Sequence, residues 1–405
     1  MALTQTPIIN SQLDALNELL EAQNHLISHQ NAAIDLIASD KKAALTSDIA
    51  EIAELIRNDE LLELMDYGDQ MILPWKDGNA AEITAPLNLC HMETAELEDG
   101  ETIPVADFEW NYVLPFDTVY DAPEAIYQAP SGGLAAGTYF FKVVNDSWGG
   151  NNDKNINFTL TEALPEGYQI RKSVAYNQLV TSGTLDIYSS GSSTTKEYSI
   201  IPTEGTTGTL LGQTDGTGDL NHWQRVALGY NRWKCSAIRQ YLNSTATAGN
   251  WWTPQNKWDV KPAYADTKDG FLHGYSEDIL HYVKETKVIT AQNTVTEDGS
   301  MDTTFDRVFL ISLEQSYINP QIQGEGSYWE YYKRLLGRTT PAAQYGTYAR
   351  LIKYDVNART TARPRWLRSA IRGNACYVWN VSTSGRVNYG NASSGLRCAP
   401  CLRIG

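Results

Sequence analysis

The sequence predicts a multidomain chain: an N-terminal α-helical coiled coil, a β-sandwich middle domain and a C-terminal α+β module. Three observations predict it. An apolar heptad runs through residues 1–58, short β-branched and aromatic runs punctuated by Gly, Pro, Asp and Asn fill 60–215, and 219–405 mixes helical and strand patterns before closing on a hairpin.

In the first segment Leu13, Leu20, Ile27 and Ile34 share one heptad position, and Ile9, Leu16, Gln23, Gln30 and Ile37 share its partner. Leu19, Leu26 and Ala33 widen the apolar stripe, which points to three or more strands rather than two. Gln23 and Gln30 would fix the register. Ile34, Leu45 and Ile56 lie eleven apart, so the supercoil should locally unwind or reverse hand there. His25 and His29 fall on outward positions and read as a solvated face, not a metal site. The segment is expected to trimerise the chain.

The middle segment offers Met71-Ile72-Leu73, Trp110 to Leu114, Gly137 to Val143, Asn157 to Leu160 and Thr184 to Tyr188 as strands, the pattern of a sandwich serving as spacer. Trp148 to Asn152 reads as an exposed turn. The stretches 189–195 and 203–218, rich in Gly, Ser and Thr, read as a rim or linker. Glu93, Glu96, Glu98, Asp99 and Glu101 read as a solvated acidic loop, because Ca²⁺ ligation would require convergence that spacing alone does not give.

In the third segment Ser236 should cap a helix reaching Ser244, and 276–287 fits a second helix with Ile279, Tyr282 and Val283 on one face. A strand is expected over 306–312. The last forty residues, from Trp366, contain no Asp, Glu, Lys, Gln or Met, yet carry Arg368, Arg372, Arg386, Arg397 and Arg403. In a chain of net charge −16 they read as a cationic island. Tyr377, Trp379 and Val381 alternate with Val378, Asn380 and Ser382, Ser384-Gly385 supplies a turn, and Val387 and Tyr389 resume the alternation. Residues 377–390 are therefore expected to form a β-hairpin.

Trp366-Leu367-Arg368-Ser369, the Asn/Gly/Ser/Tyr-rich patch, the hairpin and the closing Gly395-Leu396-Arg397 with Pro400 resemble the variable end of diversity-generating-retroelement target proteins. Leu228 to Trp233, Ala248 to Pro254 and Phe309-Leu310-Ile311-Ser312 with Glu314 are similar to other phrases of that group. The resemblance implies a C-type-lectin-like fold for 219–405, related to the formylglycine-generating enzymes, with a variable region over 366–397. In that family a reverse transcriptase rewrites adenines, typically of AAC codons, which cannot then encode Lys, Gln, Glu, Met or Trp. The implied variable, ligand-binding positions are Ile371, Arg372, Gly373, Asn374, Cys376, Tyr377, Ser382, Ser384, Arg386, Asn388, Tyr389, Asn391, Ser393 and Ser394. Trp366, Leu367, Trp379, Val381 and Val387 would be framework.

Composition narrows the functional classes. The acidic balance argues against nucleic acid or anionic membrane as partner. No run of about twenty apolar residues exists, and residues 1–20 lack the pattern of a signal peptide. Five scattered cysteines suit a reducing compartment. Enzymatic readings lack residues. Trp379-Asn380 is followed by Val381, which removes the carboxylate of a Ca²⁺-dependent sugar site, and Cys398 and Cys401 should face opposite sides of a strand. Asp302, Asp306 and Glu314 are the nearest approach to a carboxylate pair. No catalytic residue, metal or cofactor is expected.

The expected function is adhesion. The chain would be a phage fibre on the virion surface, made in the host cytoplasm and binding a host-surface receptor through the variable patch. It would associate as a homotrimer and meet other virion proteins through its stalk, inserting into no membrane. A fixed-specificity bacterial or prophage adhesin and a structural virion decoration are the alternatives.

Overall fold

A computed structural model describes residues 48–124 and 228–405 in detail, apart from 79 and 257–258. It adds Arg225, the strands of 125–202 and scattered positions elsewhere. The remaining heptad positions, His25, His29, Trp148 to Asn152 and 203–218 lie outside the described residues.

The central sheet has five strands: β1 (Gln70–Trp75), β2 (Ile83–Glu96), β3 (Thr102–Trp110), β12 (Val308–Phe309) and β18 (Cys401–Ile404), ordered β1-β2-β3-β18-β12 and antiparallel throughout. The last strand of the chain thus lies between β3 and β12. From Val105 to Trp110 every residue of β3 is buried, so both faces of this strand are covered. One cover is the helix Ile49–Arg57. Ile49, Ile52, Ala53 and Ile56 recur at helical spacing and are buried with β3 in one core. Asp48 starts the helix by accepting from the N–H groups of Ala50 (3.0 Å) and Glu51 (3.1 Å). Asp59, with φ 60°, follows its last turn.

An aromatic block joins distant segments to this sheet. The rings of Trp75 and Trp110 meet edge to face at 5.3 Å, and Phe271 packs 5.6 Å from each. The indole N–H of Trp75 donates to the Phe271 carbonyl and that of Trp110 to the Tyr275 hydroxyl, both at 2.9 Å.

These contacts correct the expected fold class. Among the described residues there is no coiled coil: the end of the presumed stalk is a nine-residue helix inside the core. Residues 70–110 are not half of a sandwich, because they share one sheet with the C-terminus. The C-terminal segment is not an α+β lectin-like module. It is mostly small antiparallel sheets, and its described α-helices, Ala237–Leu242, Glu277–Leu280 and Glu330–Leu336, are short. The helix expected over 276–287 stops at Leu280. Thr286 onward is strand β10 (Thr286–Ala291), whose β-branched Thr286, Val288, Ile289 and Thr290 suit a sheet better than a helix. The other expected helix runs Ala237–Leu242, with Ser236 Oγ accepting from Arg239 N at 3.3 Å.

Residues 125–202 form a separate six-stranded antiparallel sheet of β4 (Ala125–Gln128), β5 (Gly137–Val143), β6 (Lys154–Leu160), β7 (Tyr168–Arg171), β8 (Thr181–Ser189) and β9 (Ser192–Pro202), in the order β4-β7-β9-β8-β6-β5. This segment is an insertion closed at its base. Glu124 N donates to Arg225 O at 3.1 Å, and the Arg225 guanidinium forks onto the Glu124 carboxylate, with Nε 2.8 Å from Oε2.

Three smaller sheets complete the described chain. They are β10 with β11 (Met301–Asp306), β13 (Lys353–Tyr354) with β14 (Ala362–Arg363), and β15 (Arg365–Ala370), β16 (Tyr377–Val381) and β17 (Val387–Asn391) in that order.

Candidate binding face

The hairpin expected at 377–390 is β16–β17, with Trp379 opposite Tyr389 and Val381 opposite Val387. Gly385 makes its turn possible. At φ 78° it has a left-handed backbone, and a Cβ there would lie 2.2 Å from the Tyr348 carbonyl oxygen. Ser382 Oγ accepts from Ser384 N (3.3 Å) and Arg386 N (3.2 Å), tightening the turn. One hairpin face is pinned inward: Val378 is fully buried, and Gly390 backs onto the Trp366 ring. The other carries an aromatic cluster. Tyr377 and Tyr389 rings are 4.8 Å apart, and Tyr345 lies 5.1 Å from Trp379 and 6.1 Å from Tyr389. Tyr345 is 45% exposed and Tyr389 38%, whereas Trp379 is fully covered and its indole N–H has no partner.

The preceding loop, 371–377, is held by its backbone. Asn231 Nδ2 donates to the carbonyls of Asn374 (2.7 Å), Tyr377 (2.9 Å) and Ile371 (3.4 Å), and Asn231 N donates to Ala375 O at 3.0 Å. Asn293 Nδ2 donates to Asn231 Oδ1 at 3.0 Å and so fixes which way the amide points. Thr294 adds its N–H and hydroxyl to the Arg372 carbonyl at 2.8 and 3.0 Å. The following loop is fastened in the same manner, through Ala392 N to Cys376 O (2.8 Å) and Ser393 N to Leu228 O (2.8 Å).

The fourteen sequence-derived positions separate on burial. Arg372, Gly373, Ser384, Arg386 and Tyr389 are exposed, and Asn374, Tyr377, Ser382, Asn388, Asn391, Ser393 and Ser394 are partly exposed. Ile371 and Cys376 are buried at 6% and 0%. These two pack in the interior and cannot present a side chain to a ligand, a correction to their place in the patch. The framework residues Trp366, Leu367, Val381 and Val387 are buried as well.

The cationic island is also corrected. Arg403 lies inside, forked onto Asp107 (2.7 and 3.1 Å) and touching Glu93 at 2.5 Å. Arg397 is buried against Asp117 (2.6 Å) and Asp355 (3.3 Å). Arg368 is buried among carbonyl and side-chain oxygens. Of the five arginines only Arg372 and Arg386 face solvent. A restricted alphabet without acids looked like a charged surface because the acids that pair with it come from other segments.

The other candidate chemistries are occupied by structural bonds. Asp302 receives Arg232 (2.6 and 2.8 Å) and Gln292 (2.9 Å), and Asp306 receives Arg239 (2.6 Å), Trp233 (2.9 Å) and Thr304 (2.7 Å). Glu314 accepts from the N–H groups of Gly324 and Glu325 at 2.8 and 2.9 Å. Glu96 pairs with Lys287 at 2.9 Å. Burial pushes the thiols of Cys398, to about 12, and Cys401 upward, and all five cysteines are unbridged. Among the described residues no group of three or more His, Cys, Asp or Glu side chains is placed to hold a metal, and no described helix is long and apolar enough to cross a membrane.

Sequence reasoning missed two residues of this face. Tyr345 lies outside the last forty positions, and nothing in Gln344-Tyr345-Gly346 marks it. Its φ of 61° is costly for a bulky side chain and holds the ring beside Tyr389. Asn231 was visible only as part of a resembling phrase, with no signal that its amide gathers three carbonyls.

Residues 206–404 match the model of a domain of unknown function, DUF6273. No curated protein and no solved structure matches the chain.

Proposed function

We propose that this chain is an adhesion protein whose binding face is the loop 371–377, the β16–β17 hairpin and the loop 391–394, with Tyr345 at its edge. One observation carries the reading: the loop is restrained through its own backbone by Asn231 and Thr294, while twelve of the fourteen candidate positions reach solvent. A face built this way tolerates exchange of its side chains at little cost to the fold. Its mixture is that of a paratope, with Tyr377, Tyr389 and Tyr345 offering rigid aromatic area and Asn, Ser and Arg offering adaptable polar contacts.

The resemblance to retroelement-diversified proteins turns this tolerance into a purpose, a receptor-binding surface on a phage particle that is rewritten while its scaffold persists. The test is to sequence the DNA flanking the gene. A near-copy of the codons for 366–397, differing at adenines and accompanied by a reverse-transcriptase gene, is the expected result. Its absence, with no AAC-derived codons at the twelve solvent-reaching positions, would leave an adhesin of fixed specificity.

A further inference from the structure

Arg225 stands where the insertion returns to the core, and its guanidinium is shared between two groups of residues. Towards the insertion it forks onto Glu124, with Nε 2.8 Å from Oε2 and Nη2 2.5 Å from Oε1. Glu124 is fully buried, and Asn256 Nδ2 also donates to it at 3.2 Å. Towards the binding face, the guanidinium carbon lies 3.5 Å from the centroid of the buried Tyr230 ring, a cation–π contact. The remaining nitrogen, Nη1, lies 3.9 Å from Glu297 Oε1. The Tyr230 hydroxyl donates to that same oxygen, and Arg232 Nη1 donates to the other at 3.2 Å.

From Tyr230 and Glu297 the chain leads directly to the face. Tyr230 precedes Asn231, which bonds to carbonyls of the 371–377 loop. Glu297 follows the turn that Asn293 begins. There Asn293 Oδ1 accepts from the N–H groups of Val295 (2.9 Å) and Thr296 (2.8 Å), while its Nδ2 holds Asn231. Thr294 of the same turn holds the Arg372 carbonyl. Leu228 and Gly229 fasten the 391–394 loop. Leu228 O accepts from Ser393 N, and Gly229, at φ 84°, has no room for a side chain. A Cβ there would lie 2.6 Å from Asp121 O and 2.9 Å from Ser393 N. Residues 228–232 thus touch both loops of the face, and Arg225, three residues before them, closes the insertion.

The shared guanidinium gives this arrangement two settings. Held by Glu124, Arg225 leaves Glu297 to Tyr230 and Arg232. Released from Glu124, a buried guanidinium needs another anion, because an uncompensated charge inside a protein is strongly destabilising. Glu297 is already 3.9 Å away. Arg225 then competes for the oxygen that Tyr230 occupies, and both Tyr230 and the 293–297 turn shift from the positions that hold Asn231.

We propose that Arg225 is a positioning residue for the binding face, and that the base of the insertion regulates the order of loops 371–377 and 391–394 by holding or releasing its guanidinium. The regulatory meaning rests on the adhesion reading; the coupling itself does not. Amide hydrogen exchange on the full chain tests it. In the parent the amides of Asn231, Ile371 and Ser393, which bond to Ala375 O, Tyr377 O and Leu228 O, should be protected. Glu124→Gln, none of whose described contacts is with either loop, should speed their exchange about fivefold or more, the low end of coupling between sites. The amides of β3 and β18 should keep their parental rates. Arg225→Gln should act in the same way, and Arg225→Lys, which keeps a cation beside Glu124, should recover most of the protection. Face amides unmoved by Glu124→Gln and Arg225→Gln, or a speeding shared equally by β3 and β18, would overturn the proposal and leave the adhesion reading standing. Unprotected face amides in the parent would sink both, because that reading requires loops held by their backbones.

Discussion

Asp259 illustrates how much single residues here are set by their surroundings. Burial, with the Glu124 charge second, raises its carboxyl to about 7. The backbone N–H groups of Gln255 and of Asn256 (3.1 Å), which donate to this carboxylate, offset this only in part. Its pKa is higher folded than unfolded, where a carboxyl titrates near 4. Its contribution to stability is therefore fully present below about pH 4, falls as the pH rises towards 7, and is level above that. Asp121, buried beside it, shifts in the same direction. Urea unfolding of Asp259→Asn at several pH values should show a shallower decline between pH 4 and 7 than the parent; an identical decline would mean that Asp259 does not titrate there. None of this was legible in the sequence, because the carboxylates at 121, 124 and 259 meet only through the fold. By contrast the alternation at 377–381 and the turn at Ser384-Gly385 were legible, since period-two patterning and turn chemistry are local.

Among the elements, the β4–β9 sheet is the clearest case of modular construction. Its ends meet where Glu124 and Arg225 bond through both backbone and side chain. Replacing 125–224 by Gly-Gly should therefore leave the five-stranded sheet intact, with near-parental near-UV circular dichroism from the Trp75–Trp110–Phe271 block. Loss of that signal would show that the insertion supports the core. Sequence patterning identified strands on both sides of Glu124 but merged them into one sandwich. Strand periodicity does not say which strands pair, and one of the two partners of β3 is the last strand of the chain, with Phe108 opposite Leu402. The helix expected over 276–287 failed for a related reason: Lys284 N bonds to Arg403 O at 2.8 Å, and this long-range contact outweighs a weak amphipathic pattern.

At the scale of the molecule, the heptad misled where it met the core. Ile49, Ile52 and Ile56 continue an apolar period, and a period alone cannot distinguish a seam between chains from a face packed on a sheet. The packing predicts different outcomes for two truncations. Removing 1–47 should shift the melting temperature of the remainder by no more than about 3 °C. Removing 1–58 exposes the β3 face beneath the helix and should lower it by about 10 °C or more, at roughly 2–4 °C per kcal/mol for domains of 150–250 residues. Equal effects from the two truncations would place the helix outside the core.

The adhesion reading rests on a face that can exchange most of its exposed side chains at little cost to the fold, and thermal unfolding tests that most directly. Arg372, Asn374, Arg386, Asn388, Tyr389 and Ser394 would be replaced together by Ala, and compared with Asn231→Ala alone. The combined variant should melt within about 4 °C of the parent. Asn231→Ala, which takes the donor from the Asn374 carbonyl and the acceptor from the buried Asn293 amide at about 1–3 kcal/mol for each unsatisfied group, should fall below it. A combined variant that melts more than about 10 °C lower, or below Asn231→Ala, would make these six residues part of the fold and contradict the reading.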